Sequence, residues 1–283
     1  MSSPPVILIF GAGANTGLAT AKKFAKEGYK VAAVSRNPSA ELKAATDLIV
    51  PADLTDPKTV ETVFEKVTQE LGTPHIVVYG AADGQLVSAA NPVTVSAARL
   101  TDTLTVSTVS PYTAARLAIK GWATLPPTAA KAFFFVGNMM NTQVFSETHI
   151  LGMAKNATAF FIEMAAAAYT RAGKGDYKFY YVDERLENHE SVMMDIDGPA
   201  HALEFWKLAH EVEAQSHWCW TFVKGDVSKS ESGRYVRNRA AADREYRQMT
   251  DLGLPDLAWL PEGGMSAREM TEKMSLGELF AKK

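Results

Sequence analysis

The chain has 283 residues, 47% of them hydrophobic and 22% charged, with a formal net charge of -3. That length suits one large α/β domain or one domain with an added segment, and the charge balance gives no reason to expect a nucleic acid or an anionic membrane surface as partner. Cys219 is the single cysteine, which excludes an internal disulfide and fits a reducing compartment. The N-terminal apolar run is too short for a signal peptide and no uninterrupted apolar stretch reaches bilayer length, so a cytoplasmic protein is expected.

In chain order, the run Val6 to Phe10 predicts a buried strand that ends at Gly11, Gly13 and Gly17 and passes into a helix from Leu18 to Glu27. Glycines at 11 and 13 let the backbone turn sharply and approach a pyrophosphate, and Gly17 lets the helix start lie against the strand. Free N–H groups at that helix start, from Asn15 and Thr16 to Leu18, and the helix dipole favour an anion there. The bland alternative is a Gly-rich turn with no ligand.

Further on, Lys30 to Ser35 predicts a second strand and Asp47 to Val50 a third, followed by Ala52-Asp53. A helix over Asp56 to Leu71 places Val60, Val63, Phe64 and Val67 on one face, with Asp56 as N-cap, Pro57 as first helical residue and Gly72 as terminator. Ile76 to Tyr79 is the fourth strand, and Gly80-Ala81-Ala82 follows. One long helix is expected from near Val95 to Lys120, kinked at Pro111. Ala132 to Val136 is the fifth strand, Leu151 to Arg171 a long helix, Tyr177 to Val182 the sixth strand, Pro199 to Gln215 a helix and Trp220 to Val223 a short seventh strand.

This alternation implies an α/β fold, a Rossmann-like doubly wound parallel sheet of about seven strands, with ligands beyond the strands' carboxyl ends. Residues 1–225 are assigned to that cofactor-binding domain and residues 226–283 to a C-terminal helical extension. In the extension, Ser232 to Leu252 reads as a charged helix capped by Gly253, Leu254 to Met265 carries Trp259 in an apolar patch, and Ser266 to Glu269 has the form of a capping box. The extension is expected to pack on the first domain or on a partner subunit.

The end of the second strand selects the dinucleotide. An acidic residue there would bond a ribose 2′-hydroxyl, but Ser35-Arg36-Asn37 stands in its place. A guanidinium suits a 2′-phosphate dianion, so the expected cofactor is NADP(H).

With these residues the chain resembles the short-chain dehydrogenase/reductase family. Gly13-x-x-x-Gly17-x-Ala19 matches that family's glycine pattern, with alanine at the final glycine. Ala52-Asp53-Leu54-Thr55 matches the segment whose aspartate contacts the adenine, and Gly80-Ala81-Ala82 occupies the place of the Asn-Asn-Ala-Gly turn. The resemblance implies a catalytic tyrosine, a lysine four residues later that holds the nicotinamide ribose, a serine after strand five and a helix asparagine that supports the lysine through water.

In this chain Lys155 fits the lysine position, while Leu151 stands four residues before it. The serine position falls at Asn138 or Met139, and the helix asparagine corresponds to Ser107. Asp183-Glu184 replaces the family's Pro-Gly turn after strand six. No tyrosine occurs between Tyr112 and Tyr169, so the expected general acid, a factor of roughly 10²–10⁴ in rate, is missing.

Three replacements offer themselves. His149 titrates in the right range, but six residues separate it from Lys155, about 600° of helical rotation; an ordinary loop histidine is the simpler reading. Thr148 would share the lysine's face. Asp183 or Glu184 would stabilise a cationic substrate such as an iminium, against the alternative of a solvated loop charge. Other chemistries lack support: there is no Gly-x-Ser-x-Gly elbow, and His210 and His217 are too far apart for a zinc helix. No metal is expected.

The functional expectation is an NADP(H)-dependent oxidoreductase with a noncanonical site that reduces a small organic carbonyl or iminium, in the manner of secondary metabolism. Family relatives in fungal alkaloid pathways, which reduce an iminium and guide a cycloaddition, are a precedent. The alternatives are a cofactor-retaining cyclase or isomerase and a non-enzymatic NADP(H) sensor. The helices containing Tyr112 and Ala165 resemble the family's dimer-forming pair, which implies a homodimer or homotetramer.

Overall fold

In the computed structural model, residues 3–174, 176–210, 214–225, 231–232, 246–247, 260–261, 265–266 and 269 are described. The strands are β1 (Val6–Phe10), β2 (Lys30–Val34), β3 (Leu48–Val50), β4 (Pro74–Tyr79), β5 (Lys131–Val136), β6 (Tyr177–Arg185) and β7 (Cys219–Val223). They pair in parallel in the order β7-β6-β5-β4-β1-β2-β3, and the short segment Glu231–Ser232 adds to β7 antiparallel. The order reverses beside β1, which opens a crevice at the carboxyl ends of β1 and β4.

Helices cover both faces, which is why the strands are apolar almost throughout. α1 (Thr16–Lys26) and α7 (Gly198–His210) pack on one face over Ile7, Ile9, Phe134 and Tyr180. α3 (Pro57–Glu70), α5 (Ser110–Trp122) and α6 (His149–Arg171) pack on the other, over Leu8, Val77, Phe133 and Phe179. Val60, Val63, Phe64 and Val67 are the buried face of α3, Pro57 lies at its start, and Asp56 caps it by accepting a hydrogen bond from Lys58 N. Burying each such side chain contributes roughly 1.5–3 kcal/mol.

One row of aromatics crosses the sheet near its carboxyl end. Phe10, Tyr79, Phe135 and Tyr181 stand opposite one another on β1, β4, β5 and β6, with successive ring centroids 5.3, 6.1 and 5.7 Å apart. Such cross-strand pairs stabilise the sheet beyond area burial. The row's two tyrosines also spend their hydroxyls on neighbouring segments: Tyr79 Oη donates to Val106 O at 2.7 Å, and Tyr181 Oη donates to Asn138 O at 2.7 Å.

Several expectations are corrected. The long helix near Val95 to Lys120 is α4 (Ala97–Leu104), a π turn (Thr105–Val109) and α5. The three run on continuously, and the π turn lies immediately before Pro111, whose missing N–H leaves a carbonyl of the preceding turn without its helical partner. Side chains of Tyr79 and Thr158 donate to the carbonyls of Val106 and Ser107 in that turn, which favours the π geometry. A short helix α2 (Ala40–Ala44), capped by Ser39, was not expected. β6 runs three residues further than expected, through Asp183, Glu184 and Arg185. α7 is described over Gly198–His210, and Gln215 is not helical; it bonds both N and O of Phe179 like a strand neighbour.

The expected helix over Ser232 to Leu252 is contradicted at Tyr246–Arg247, which pairs in parallel with Val144–Phe145. Met265–Ser266 pairs antiparallel with Gln85–Leu86. Ser266 and Glu269 make the reciprocal bonds of a capping box, Glu269 N to Ser266 Oγ at 3.2 Å and Ser266 N to Glu269 Oε2 at 2.8 Å. Gly253, Leu254 and Trp259 lie outside the described residues.

Candidate active site

The glycine turn is built by close approach. Gly11 has φ +71°, and a Cβ there would collide with the backbone of Ala81. A Cβ on Gly17 would meet Ala12, so α1 starts directly against the end of β1. Around Gly13, by contrast, the nearest atom a Cβ would meet is 4.0 Å away, which leaves room for a ligand. Leu18 N closes the turn on Gly13 O at 3.0 Å.

The first turn of α1 has no acidic residue, and Asn15 makes no side-chain cap with it. The N–H groups of Thr16 and Gly17 and the helix dipole are therefore left to meet an anion, the property a pyrophosphate requires. Asn15 itself is turned away: Nδ2 donates to Ile196 O at 2.7 Å and Oδ1 accepts from Gly198 N at 3.0 Å. It ties the turn to the loop before α7 and is not a phosphate ligand through its side chain.

Beyond β2, Ser35 is half-buried while Arg36 and Asn37 are exposed. Arg36 lies near enough to Asp53 for its charge to help hold that carboxyl below its usual range, after the larger effect of hydrogen bonds from Thr55 N and Oγ1. Leu54 is buried and its carbonyl accepts from Ser110 Oγ. Gly80 N bonds Phe10 O at 2.8 Å, so the Gly80-Ala81-Ala82 turn abuts the glycine turn. These residues form one continuous edge across the ends of β1 to β4, of the kind a dinucleotide can lie along.

A cavity of about 420 Å³ opens beyond β4, β5 and β6. Its wall is mainly apolar: Leu86, Val136, Met139, Met140, Phe145, Leu151, Val192, Met193 and Ile196. Lys155 and Asp183 are the buried ionisable groups at its foot, with Glu184 and His201 beside them. Lys155 Nζ donates to Val136 O at 2.7 Å and lies 4.4 Å from the Phe135 ring centre. Burial lowers its pKa to about 8, and the negative charge of Asp183 opposes that shift.

Asp183 is not a solvated loop charge. It lies within β6, 2% exposed, and Arg185 Nε donates to its Oδ2 at 2.7 Å. Burial raises its carboxyl pKa against the pull of Arg185 and Lys155. Asn138 lines the cavity as well. Its Oδ1 accepts from Met140 N at 3.1 Å, and its backbone is clamped on both sides by the Tyr181 hydroxyl. That assignment turns the Asn138 amide N–H₂ into a free donor.

Ser107 and His149 are elsewhere. Ser107 is fully buried in the π turn, its Oγ accepting from Asp83 N at 3.2 Å, and it is not in the cavity wall. His149 is the first residue of α6 and holds Ser146 O through Nδ1 at 3.1 Å; the helical rotation directs it away from the cavity, whereas Thr148 does line it. The structure thus brings Asn138, Thr148, Lys155 and Asp183 together and leaves out Ser107 and His149. Sequence reasoning missed the wall from Val192 to Ile196, although the apolar run Val192-Met193-Met194 between β6 and α7 marked it. It also missed Arg185, which pairs with Asp183 only because the strand continues through both, and Tyr181, which acts through a contact 43 residues away.

The profile of the family described as enoyl-(acyl carrier protein) reductase matches residues 11–174. A protein of Cryptosporiopsis sp. (strain 8999), described as a short chain dehydrogenase/reductase, is 38% identical over 234 residues, 79% of this chain and 93% of that protein. Among solved structures, a short chain dehydrogenase from Bacillus anthracis superposes with a TM-score of 0.64 at 14% identity, covering 83% of this chain and 97% of that one. A metagenomic short-chain oxidoreductase in complex with NADP superposes with a TM-score of 0.63 at 15% identity, covering 78% and 96%. At those identities the solved structures support the fold alone.

Proposed function

Since the chain belongs to the short-chain dehydrogenase/reductase family, we propose that it is an NADP(H)-dependent oxidoreductase with a noncanonical active site, reducing a small organic carbonyl or iminium compound. The observation that carries this reading is Lys155 at the foot of an apolar cavity whose wall contains Leu151 and, among its described lining residues, no tyrosine. The uncapped start of α1, the space around Gly13 and the exposed Arg36 support a phosphorylated dinucleotide.

When bound, the reduced dinucleotide supplies a hydride. The chain's own residues then do the rest. The Lys155 cation, in a low-dielectric wall, stabilises negative charge that grows on a substrate oxygen and, with its pKa lowered to about 8, gives that oxygen the proton that completes the alcohol, to be restored from solvent. The Asn138 amide can donate a hydrogen bond to the same atom. The apolar wall excludes water from the reacting centre. Asp183 is paired with Arg185, so its charge is already answered; this supports a carbonyl rather than an iminium substrate.

A cytoplasmic setting belongs to the same reading. Among the described residues no helix is long and apolar enough to cross a membrane, and Cys219 is buried, its thiol pushed up to about 12 by burial. The test is incubation with NADPH deuterated at the transferred position and a panel of aromatic carbonyl and iminium compounds. Deuterium on the former carbonyl or iminium carbon is expected. Tight NADPH binding with no deuterium transferred to any member would overturn the reading in favour of a non-redox role.

A further inference from the structure

Glu184 holds a second polar anchor in the cavity wall that the reaction as described does not use. Its side chain is 1% exposed. Oε2 accepts a hydrogen bond from Asp197 N at 2.7 Å, and His201 Nδ1, 3.5 Å away, is directed at Asp197 O. Oε1 is buried and has no hydrogen-bond donor among the described residues. Leaving such an oxygen unanswered costs about 1–3 kcal/mol, more if it is charged, so the site is built for a donor that arrives with a ligand.

The direction of the dinucleotide identifies that donor. Arg36 and Asp53 lie beyond β2 and β3, and the pyrophosphate turn lies at the end of β1. A dinucleotide crossing the switch point therefore has its other half over β4, β5 and β6, where Gly80, Asn138, Asp183 and Glu184 line the cavity. Glu184 is also joined to the phosphate turn: Asn15 bonds Ile196 O and Gly198 N, and Asp197 between them bonds Glu184. A Cβ on Gly198 would collide with Asn15, so this link needs glycine there. The terminal carboxyl torsion of glutamate is soft, and a small rotation presents Oε1 to the cavity.

Resting on the cofactor reading above, we propose that Glu184 Oε1 accepts the carboxamide N–H of the nicotinamide and so sets which face of the ring meets the substrate. The neighbouring Asp183 is ion-paired with Arg185, whereas Glu184 has an acceptor oxygen left over. Burial raises the Glu184 carboxyl pKa, which a donor to the carboxylate would relieve.

The test compares dissociation constants by calorimetry for NADP⁺ and for its 3-acetylpyridine analogue, in which a methyl group replaces the carboxamide NH₂. The wild type is expected to favour NADP⁺ about tenfold, the worth of one charge-assisted bond. Glu184→Leu should bring the ratio close to one, and Glu184→Gln, which keeps a carbonyl acceptor, should retain part of it. Asn15→Ala loosens the same loop without touching Glu184 and should weaken both ligands equally. A wild-type ratio near one, or a ratio that survives in Glu184→Leu, overturns the proposal while leaving the cofactor reading intact. Binding of neither dinucleotide to the wild type overturns both.

Discussion

The Lys155 ammonium sits 2.7 Å from the carbonyl oxygen of Val136, so the last residue of β5 fixes a cation that enters from the first turns of α6. One strand end therefore supplies both the wall of the cavity and the hydrogen bond that orients its charge. The Phe135 ring beneath the ammonium belongs to the aromatic row that crosses four strands, which couples the site's position to the most buried part of the sheet.

Lys155 is expected to contribute less favourably to stability at neutral pH than at pH 10. Its folded pKa is about 8 against an ordinary value of 10.5. Between those values the unfolded chain binds more protons, so stability rises with pH. Lys155→Met removes the cost and should be more stable at pH 7, by up to about 3 kcal/mol, with the advantage shrinking towards pH 10. Urea midpoints of both proteins at the two pH values check this; a constant difference would contradict it.

Arg36→Glu should reverse the dinucleotide preference. Loss of a charge-assisted contact to the 2′-phosphate weakens NADPH binding roughly 10- to 100-fold, and the new carboxylate can bond the NADH ribose. Fluorescence titrations with both cofactors read the change directly, and unaltered curves would refute the role given to Arg36.

Gly11→Ala combines two penalties. The backbone is at φ +71°, and the added methyl meets the Ala81 backbone rather than a flexible side chain. We expect a loss of at least about 3 kcal/mol, seen as a lower thermal midpoint, together with weaker NADPH binding. Gly13→Ala meets nothing closer than 4.0 Å, so it should keep the thermal midpoint and lose affinity alone.

A homodimer or homotetramer is proposed through α5 and α6. Tyr112, Phe160 and Met164 on these helices are 52%, 52% and 49% exposed, an apolar surface that a partner copy would cover. Light scattering should give a multiple of the 30.7 kDa chain mass, and Phe160→Glu should shift it to the monomer. A monomeric wild type would refute the assembly.

The parallel sheet and the glycine turn were legible in the sequence because both rest on local chemistry. An apolar run followed by closely spaced glycines and an amphipathic helix can fold in few ways, and Asp56-Pro57 and Gly72 mark helix ends by backbone rules that need no distant partner. The same locality made Lys155 and Leu151 readable, since positions seven residues or fewer apart on one helix have fixed relative directions. Tertiary structure decided what each polar group does. Asp183 became an ion pair because β6 continued three residues further and brought Arg185 alongside it. Asn15 became a tether because α7 starts at Gly198, 183 residues away. Glu184 kept an unanswered oxygen because the loop at Asp197 satisfied the other. The last two depend on which donor arrives from a remote segment, and the first on how far a strand continues through charged residues, and residue spacing alone carries no record of either.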